Sequence, residues 1–228
     1  EECSDESEYM IEFKNVNFKY FKSKKIEEDM YDVSNINIQL RKGESLGIIG
    51  STGSGKSTII SLLMRFYDTT TGNIYVDGKN VKSYDKKELR KKFGTALQND
   101  TIFSDTVYNN IECYRDLECD DIKKAVKTAQ AENFINNLES KYQEQLSAKG
   151  TNISGGQKQR IFISRALAAN PDILILDDAS SALDYKTDSI LRKELKNYTK
   201  DATSLIVAQR IGTIMNADQI IVLDEGEI

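Results

Sequence analysis

The chain has 228 residues, 39% hydrophobic and 29% charged, enough for one large domain with a full core or two modest ones and unlike a disordered composition. With 31 basic and 36 acidic residues its net charge is −5, which argues against a general nucleic-acid binder. No apolar run approaches the roughly 18 residues of a membrane span, and the opening Glu1-Glu2-Cys3-Ser4-Asp5-Glu6 is too acidic and polar for a signal peptide.

Residues 1–9 read as a linker. The first residue is not Met and the chain stops just beyond Asp224-Glu225-Gly226, so it reads as cut from a longer protein. Phe13, Val16, Phe18 and Tyr20 then bring short β-type patterns. Val33 to Leu40 alternates apolar and polar residues as a half-buried strand does. Gly43 turns the chain into Leu46-Gly47-Ile48-Ile49, a short apolar strand. A glycine-rich loop follows, then a helical stretch with Ile59, Leu62, Leu63 and Phe66 on one face. Asn73-Ile74-Tyr75-Val76 runs into Asp77-Gly78, a hairpin signal.

From about 85 to 140 the pattern is mainly helical, with Ile122, Ala125, Val126, Ala129, Phe134, Ile135 and Leu138 at helix spacing. The cluster Lys86, Lys87, Arg90, Lys91, Lys92 reads as a solvated helix face. Three continuous apolar runs come later: Ile173 to Leu176, Leu205 to Ala208, and Ile220 to Leu223. Each suits a strand of a buried parallel sheet. Between the first two lies a helix expected to turn Ile190, Leu191, Leu195 and Tyr198 inward. The alternation predicts an α/β fold with a β-rich N-terminal part and a helical insertion near 99–153.

Gly50-Ser51-Thr52-Gly53-Ser54-Gly55-Lys56-Ser57 fits the phosphate-loop pattern G-x-x-x-x-G-K-[ST] between a predicted strand and a predicted helix. Glycines let backbone N–H groups turn inward around phosphate oxygens, and the helix start adds a favourable field for negative charge. Lys56 would reach the β- and γ-phosphates, and the Ser57 hydroxyl would ligate Mg²⁺. Ile173 to Leu176 delivers Asp177 to the C-terminal end of a strand, where a carboxylate can hold the same ion. Cys3, Cys113 and Cys119 make no metal-ligand pattern and are odd in number, and there is no histidine. They read as free thiols of a reducing cytosol, with no zinc site.

Asn152-Ile153-Ser154-Gly155-Gly156-Gln157-Lys158-Gln159-Arg160 resembles the signature sequence of ABC ATPases. Other landmarks of that family follow in order. Gln98 resembles the Q-loop glutamine, and Ser181-Ala182-Leu183-Asp184 resembles the D-loop. Tyr20 is similar to the aromatic residue that stacks on adenine, a buried strand aromatic being the plain alternative. Phe103 with Thr106 to Ile111 resembles the exporter stretch that faces the membrane domain. The resemblance covers nearly the whole chain. It implies a phosphate-loop NTPase core with a parallel sheet, an N-terminal antiparallel β subdomain and an inserted helical subdomain at about 99–170 within a domain of residues 10–228. Residues 1–9 would then lead from a membrane domain.

By the same resemblance, ATP would meet Tyr20, Gly50 to Thr58 and Gln98, and Mg²⁺ would meet Ser57, Gln98 and Asp177. Ser154 should cap a helix and make an anion site on an exposed corner. In this family two such domains pack head to tail, so Ser154, Gly155, Gly156 and Gln157 would serve the nucleotide of a second ABC ATP-binding domain. The whole would work with a transmembrane domain at the cytoplasmic face of the membrane, without nucleic acid.

Three positions depart from the family pattern. Asp178 stands where hydrolytic members usually carry Glu to position or deprotonate water. It is shorter by one C–C bond, about 1.5 Å, and a misplacement of about 1 Å can cost roughly a hundredfold in rate. Gln209 stands where the family places a histidine facing the γ-phosphate, and it cannot take on a charge or pass a proton. Together with Lys56 these are the catalytic candidates. Ala148 replaces a glutamate common in exporters. The first two changes match the weakly hydrolytic half of heterodimeric ABC exporters. The alternatives are a slow symmetric homodimer, an ATP-gated clamp without catalysis, and a soluble ABC protein acting on ribosomes or DNA. The stretch between Gln98 and Ser154 shows no sustained heptads that would favour the DNA-repair kind.

Overall fold

The computed structural model describes residues 8–21, 31–179, 181–198 and 202–228, so Cys3 and most of the expected linker lie outside the described residues. In chain order the strands and α-helices are β1 (Tyr9–Phe18), β2 (Val33–Arg41), β3 (Ser45–Ile49), α1 (Lys56–Leu63), β4 (Thr71–Val76), β5 (Lys79–Asn80), α2 (Lys86–Lys91) and β6 (Phe93–Ala96). Then follow α3 (Val107–Glu112), α4 (Cys119–Thr128), α5 (Glu132–Asn136), α6 (Gly155–Ala168), β7 (Ile173–Asp177), α7 (Tyr185–Tyr198), β8 (Thr203–Val207), α8 (Ile211–Ile214) and β9 (Gln219–Val222). They fall into two units, Glu1–Lys92 with Thr203–Ile228, and Phe93–Ala202.

The first unit holds an antiparallel sheet in the order β2-β1-β4-β5. The alternation of β2 buries Val33, Ile36, Ile38 and Leu40 on one face, against Ile11, Phe13 and Val16 of β1. Two ladder irregularities are shaped by asparagines: Asn15 and Asn35 both adopt positive φ, which Asn tolerates better than most residues. β4 turns into β5 through Asp77 and Gly78, both at positive φ, as a two-residue hairpin demands. In the same unit β3 lies parallel to β8 on one side and to β9 on the other. Leu46 and Ile48 of β3 and Ile59, Leu62 and Leu63 of α1 are fully buried.

Two expectations in this unit need correction. β9 does not have two dry faces. Ile220 and Val222 are 47% and 61% exposed, because only alternate residues of that strand turn inward. The run of apolar residues disguised an alternating strand. Phe66 also fails to extend the buried face of α1. That helix ends at Leu63, where Arg90 donates to the carbonyls of Met64 and Arg65, and Phe66 lies exposed beneath the Arg90 guanidinium at 4.7 Å. Of the basic cluster, Lys86, Lys87 and Lys91 are exposed on a short helix capped by Asp85.

The second unit is organised around α6. Ile161, Ile163, Ala166 and Leu167 are buried with Val107 and Ile111 of α3, Ile122, Ala125 and Val126 of α4, and Leu174 of β7. β6 runs parallel to β7, from Phe93 opposite Ile173 to Ala96 opposite Leu176. This strand was hidden inside a stretch expected to be helical. Its Gly94 explains the close packing: a Cβ there would sit 2.2 Å from the Ala166 carbonyl oxygen of α6. On α7, Leu191 and Leu195 face inward as expected and Tyr198 is half-buried, but Ile190 is 40% exposed. Cys113 and Cys119 are free thiols.

Candidate functional site

The glycine-rich loop leaves β3 and enters α1 through Gly55, whose φ of 104° is left-handed and which offers no side chain to cap the helix. The first N–H groups of α1 are therefore presented without a side-chain cap, the condition under which a helix start attracts an anion. Gly50 is demanded by closeness rather than by dihedral: a Cβ there would lie 2.2 Å from the Leu223 carbonyl oxygen and 2.5 Å from Ser54 Oγ. Lys56 curls over the loop, donating from Nζ to the carbonyls of Gly50 at 2.8 Å and Ser51 at 2.6 Å, with Ser54 Oγ at 3.4 Å. Ser54 is buried and its carbonyl accepts from the Gly226 N–H, while Ser51 and Thr52 are exposed.

Beside this loop is a cavity of about 560 Å³ lined by Tyr20, Asp32, Gly53, Gly55, Lys56, Ser57, Thr58 and Glu225. Tyr20 stands just beyond β1, half-buried, edge-on to Phe18 at 4.7 Å and to Tyr67 at 5.2 Å. Its hydroxyl hydrogen-bonds Thr58 Oγ1 at 3.0 Å, and its N–H donates to Asp32 at 2.8 Å. Neither Asp32 nor Glu225 was expected at the site, and no local motif marks them: tertiary folding alone brings them to the cavity. Gln209, also in this unit, follows β8 on an exposed bend and is not among the residues lining the cavity.

In the second unit, β7 delivers Asp177 to its C-terminal end, 7% exposed, and Asp178 follows half-buried with φ 53°. Both carboxylates, with Gln98, Asp100, Gly155 and Gln159, line a separate cavity of about 480 Å³. Asp100 accepts from the Leu97 N–H at 2.9 Å, and burial pushes its carboxyl above the ordinary range. Ser154 caps α6 as expected. Its hydroxyl accepts from the Gln157 N–H at 3.3 Å, and the Gln157 side-chain oxygen accepts from the Ser154 N–H at 2.8 Å. Ser154 and Gly155 are exposed, and Gly156 and Gln157 partly so, giving α6 an accessible, dipole-positive start. Asp184 accepts from the Thr187 N–H and then its hydroxyl, which together hold its carboxyl below the usual range.

Within each unit some of the expected residues share a cavity: Tyr20 with Gly53, Gly55, Lys56, Ser57 and Thr58 in the first, and Gln98 with Asp177, Asp178 and Gly155 in the second. The two units offer different chemistry. One offers an uncapped helix start and an ammonium group for phosphate. The other offers a nearly buried carboxylate for a divalent cation.

Residues 33–181 match the family model described as "ABC transporter". YgaD of Bacillus subtilis, provisionally named a multidrug export ATP-binding/permease protein, is 39% identical over 219 residues, covering 96% of this chain and 37% of its own. A similarly named protein of Staphylococcus aureus is 44% identical over 197 residues, 86% of this chain and 34% of its own. The chain therefore spans little more than a third of the length of these curated relatives. A structure described as a bacterial Atm1-family ABC exporter with ATP bound superposes with a TM-score of 0.90 at 32% identity, covering 99% of this chain and 40% of that one. This chain belongs to the ABC transporter family.

Proposed function

We propose that the chain is the ATP-binding domain of an ABC exporter, that it binds Mg-ATP and pairs head to tail with a second such domain, and that its own nucleotide site hydrolyses slowly. The observation that carries the reading is the glycine loop, where Lys56 and the uncapped start of α1 meet one cavity containing Tyr20. Phosphates would lie against the N–H groups of residues 53 to 58, with Lys56 exchanging its own loop's carbonyls for β- and γ-phosphate oxygens. Tyr20 would give a ring face or edge to adenine. Ser57, Gln98 and Asp177 would hold Mg²⁺, which when bound neutralises charge developing on the phosphates.

Slow turnover rests on Asp178 and Gln209. An Asp reaches less far than Glu toward an attacking water, and Gln209 neither carries a charge nor shuttles a proton. Ser154, Gly155 and Gly156 at the start of α6 retain what an anion site needs, so this chain would complete a second domain's site better than its own. The symmetric homodimer is the competing assembly.

Purified chain should bind Mg-ATP, and Lys56→Ala should weaken that binding at least about tenfold. In the complete transporter the same change should leave substantial hydrolysis, because the faster site uses the other domain's lysine. Near-total loss of ATPase in Lys56→Ala would sink the asymmetric assembly and favour the homodimer. Unweakened binding would sink the phosphate assignment itself.

A further inference from the structure

We propose that Gln159 is a positioning residue, whose side-chain amide clamps the turn after β7 onto the signature helix and so sets the backbone of Asp178. The starting point is Asp178 itself. A φ of 53° is uncommon for a residue with a Cβ and persists only where neighbours hold it. Two donors do so at its carbonyl: the Ser181 N–H at 3.2 Å and Gln159 Nε2 at 3.4 Å.

Gln159 lies on α6, half-buried, and uses both ends of its amide. Oε1 accepts from the Ala182 N–H at 2.9 Å, and Nε2 donates to Ser181 Oγ at 2.8 Å. An amide combines acceptor and donor at this length, whereas a carboxylate lacks the donor and an apolar side chain lacks both. One turn earlier on the same helix face, Gly156 admits the same segment: a Cβ there would be 3.1 Å from the Ala182 carbonyl oxygen. Arg160 is directed elsewhere, to the carbonyls of Gly156 and Gln130 and over the Phe134 ring. The turn is therefore held to α6 at two places, by backbone proximity at Gly156 and by the amide of Gln159. The exposed start of α6 and the Asp178 backbone are thereby linked, so a displacement of the signature corner reaches Asp178 through the Gln159 amide.

The catalytic consequence rests on the functional reading above, whereas the clamp itself does not, and the test separates them. Amide hydrogen exchange on the folded protein reads the clamp. Gln159→Leu should speed exchange at Ala182 at least about tenfold while leaving the β3 amides unchanged, since one protecting bond is lost. Turnover of the complete transporter is then read at the site built on Asp178, with the catalytic carboxylate of any unlike second domain silenced. Gln159→Leu should lower kcat about tenfold with KM for Mg-ATP within about twofold, and Gln159→Glu, keeping the acceptor for Ala182, should recover about half of that loss on a logarithmic scale. Unaltered exchange at Ala182 in both variants overturns the clamp. Accelerated exchange with unchanged kcat, or equal changes in kcat and KM with no recovery by Glu, overturns the positioning role. Absence of Mg-ATP binding by the unaltered chain overturns the functional reading and leaves the exchange result to judge the clamp.

Discussion

The glycine loop and the signature corner both end in a helix start offered to an anion, yet they are built by opposite means. Around the loop the constraints are backbone ones: Gly55 bends left-handed, Gly50 leaves room for a carbonyl, and Lys56 is held by two more. At the signature corner side chains make the structure, with Ser154 and Gln157 exchanging bonds at the cap and Gln159 reaching the turn beyond β7. Backbone-built sites tolerate almost no added atoms. Amide-built sites tolerate volume but not a change of donor or acceptor.

The sharpest contrast comes from adding one methyl group in each place. Gly50→Ala should cost about 3 kcal/mol in stability, or a comparable loss of Mg-ATP affinity, because its Cβ meets the Leu223 carbonyl oxygen rather than a side chain that can yield. Gly155→Ala, whose Cβ would among the described residues touch only Ala182 Cβ at 3.5 Å, should change thermal stability by under about 0.5 kcal/mol. Equal costs by chemical denaturation would erase the distinction between the two corners.

A smaller effect is expected at Tyr20. Tyr20→Ala should weaken Mg-ATP binding by roughly 1–3 kcal/mol, the range for a base stacked on an aromatic ring. Tyr20→Phe should leave affinity nearly intact while costing about 1 kcal/mol of stability through the lost Thr58 bond. Equal affinity losses in a nucleotide titration would assign the contact to the hydroxyl instead of the ring.

The smallest effect belongs to Asp100. Burial raises its folded-state pKa, so folding favours the neutral carboxyl and stability falls as pH climbs from the ordinary aspartate range through the folded value. Asp100→Asn keeps an oxygen for the Leu97 N–H and should gain slightly on the parent as pH rises. Thermal midpoints compared from about pH 3.5 to 7 test this. A gap that does not widen with pH would mean the Arg165 charge offsets the burial.

The same contrast explains what could be read from sequence. The loop from Gly50 to Ser57 is local, so its spacing marked it, as an apolar run marked Asp177 at the end of its strand, while the cap at Ser154 came with the resemblance to the signature sequence. Gln159 and Ser181 are 22 positions apart, and nothing in the chain between them announces a bond. The misread elements fail for related reasons. β6 is a four-residue strand whose Gly94 carries no apolar signal, and β9 is apolar in sequence but alternately exposed. Periodicity reports what a segment is made of, and its neighbours decide how many of its faces become dry.

The Gly226 N–H donating to the Ser54 carbonyl, with the Leu223 carbonyl packed against Gly50, has a consequence for how this protein is made. The phosphate loop is synthesised early, yet the turn that braces it is synthesised after the whole of the second unit. A nascent chain on the ribosome would carry the complete loop motif long before it carried a loop of fixed shape. On the proposed function, nucleotide capture during synthesis would be timed by the arrival of Leu223 to Gly226 rather than by the motif, and ATP would act as a late-stage ligand, stabilising only chains that have closed the latch.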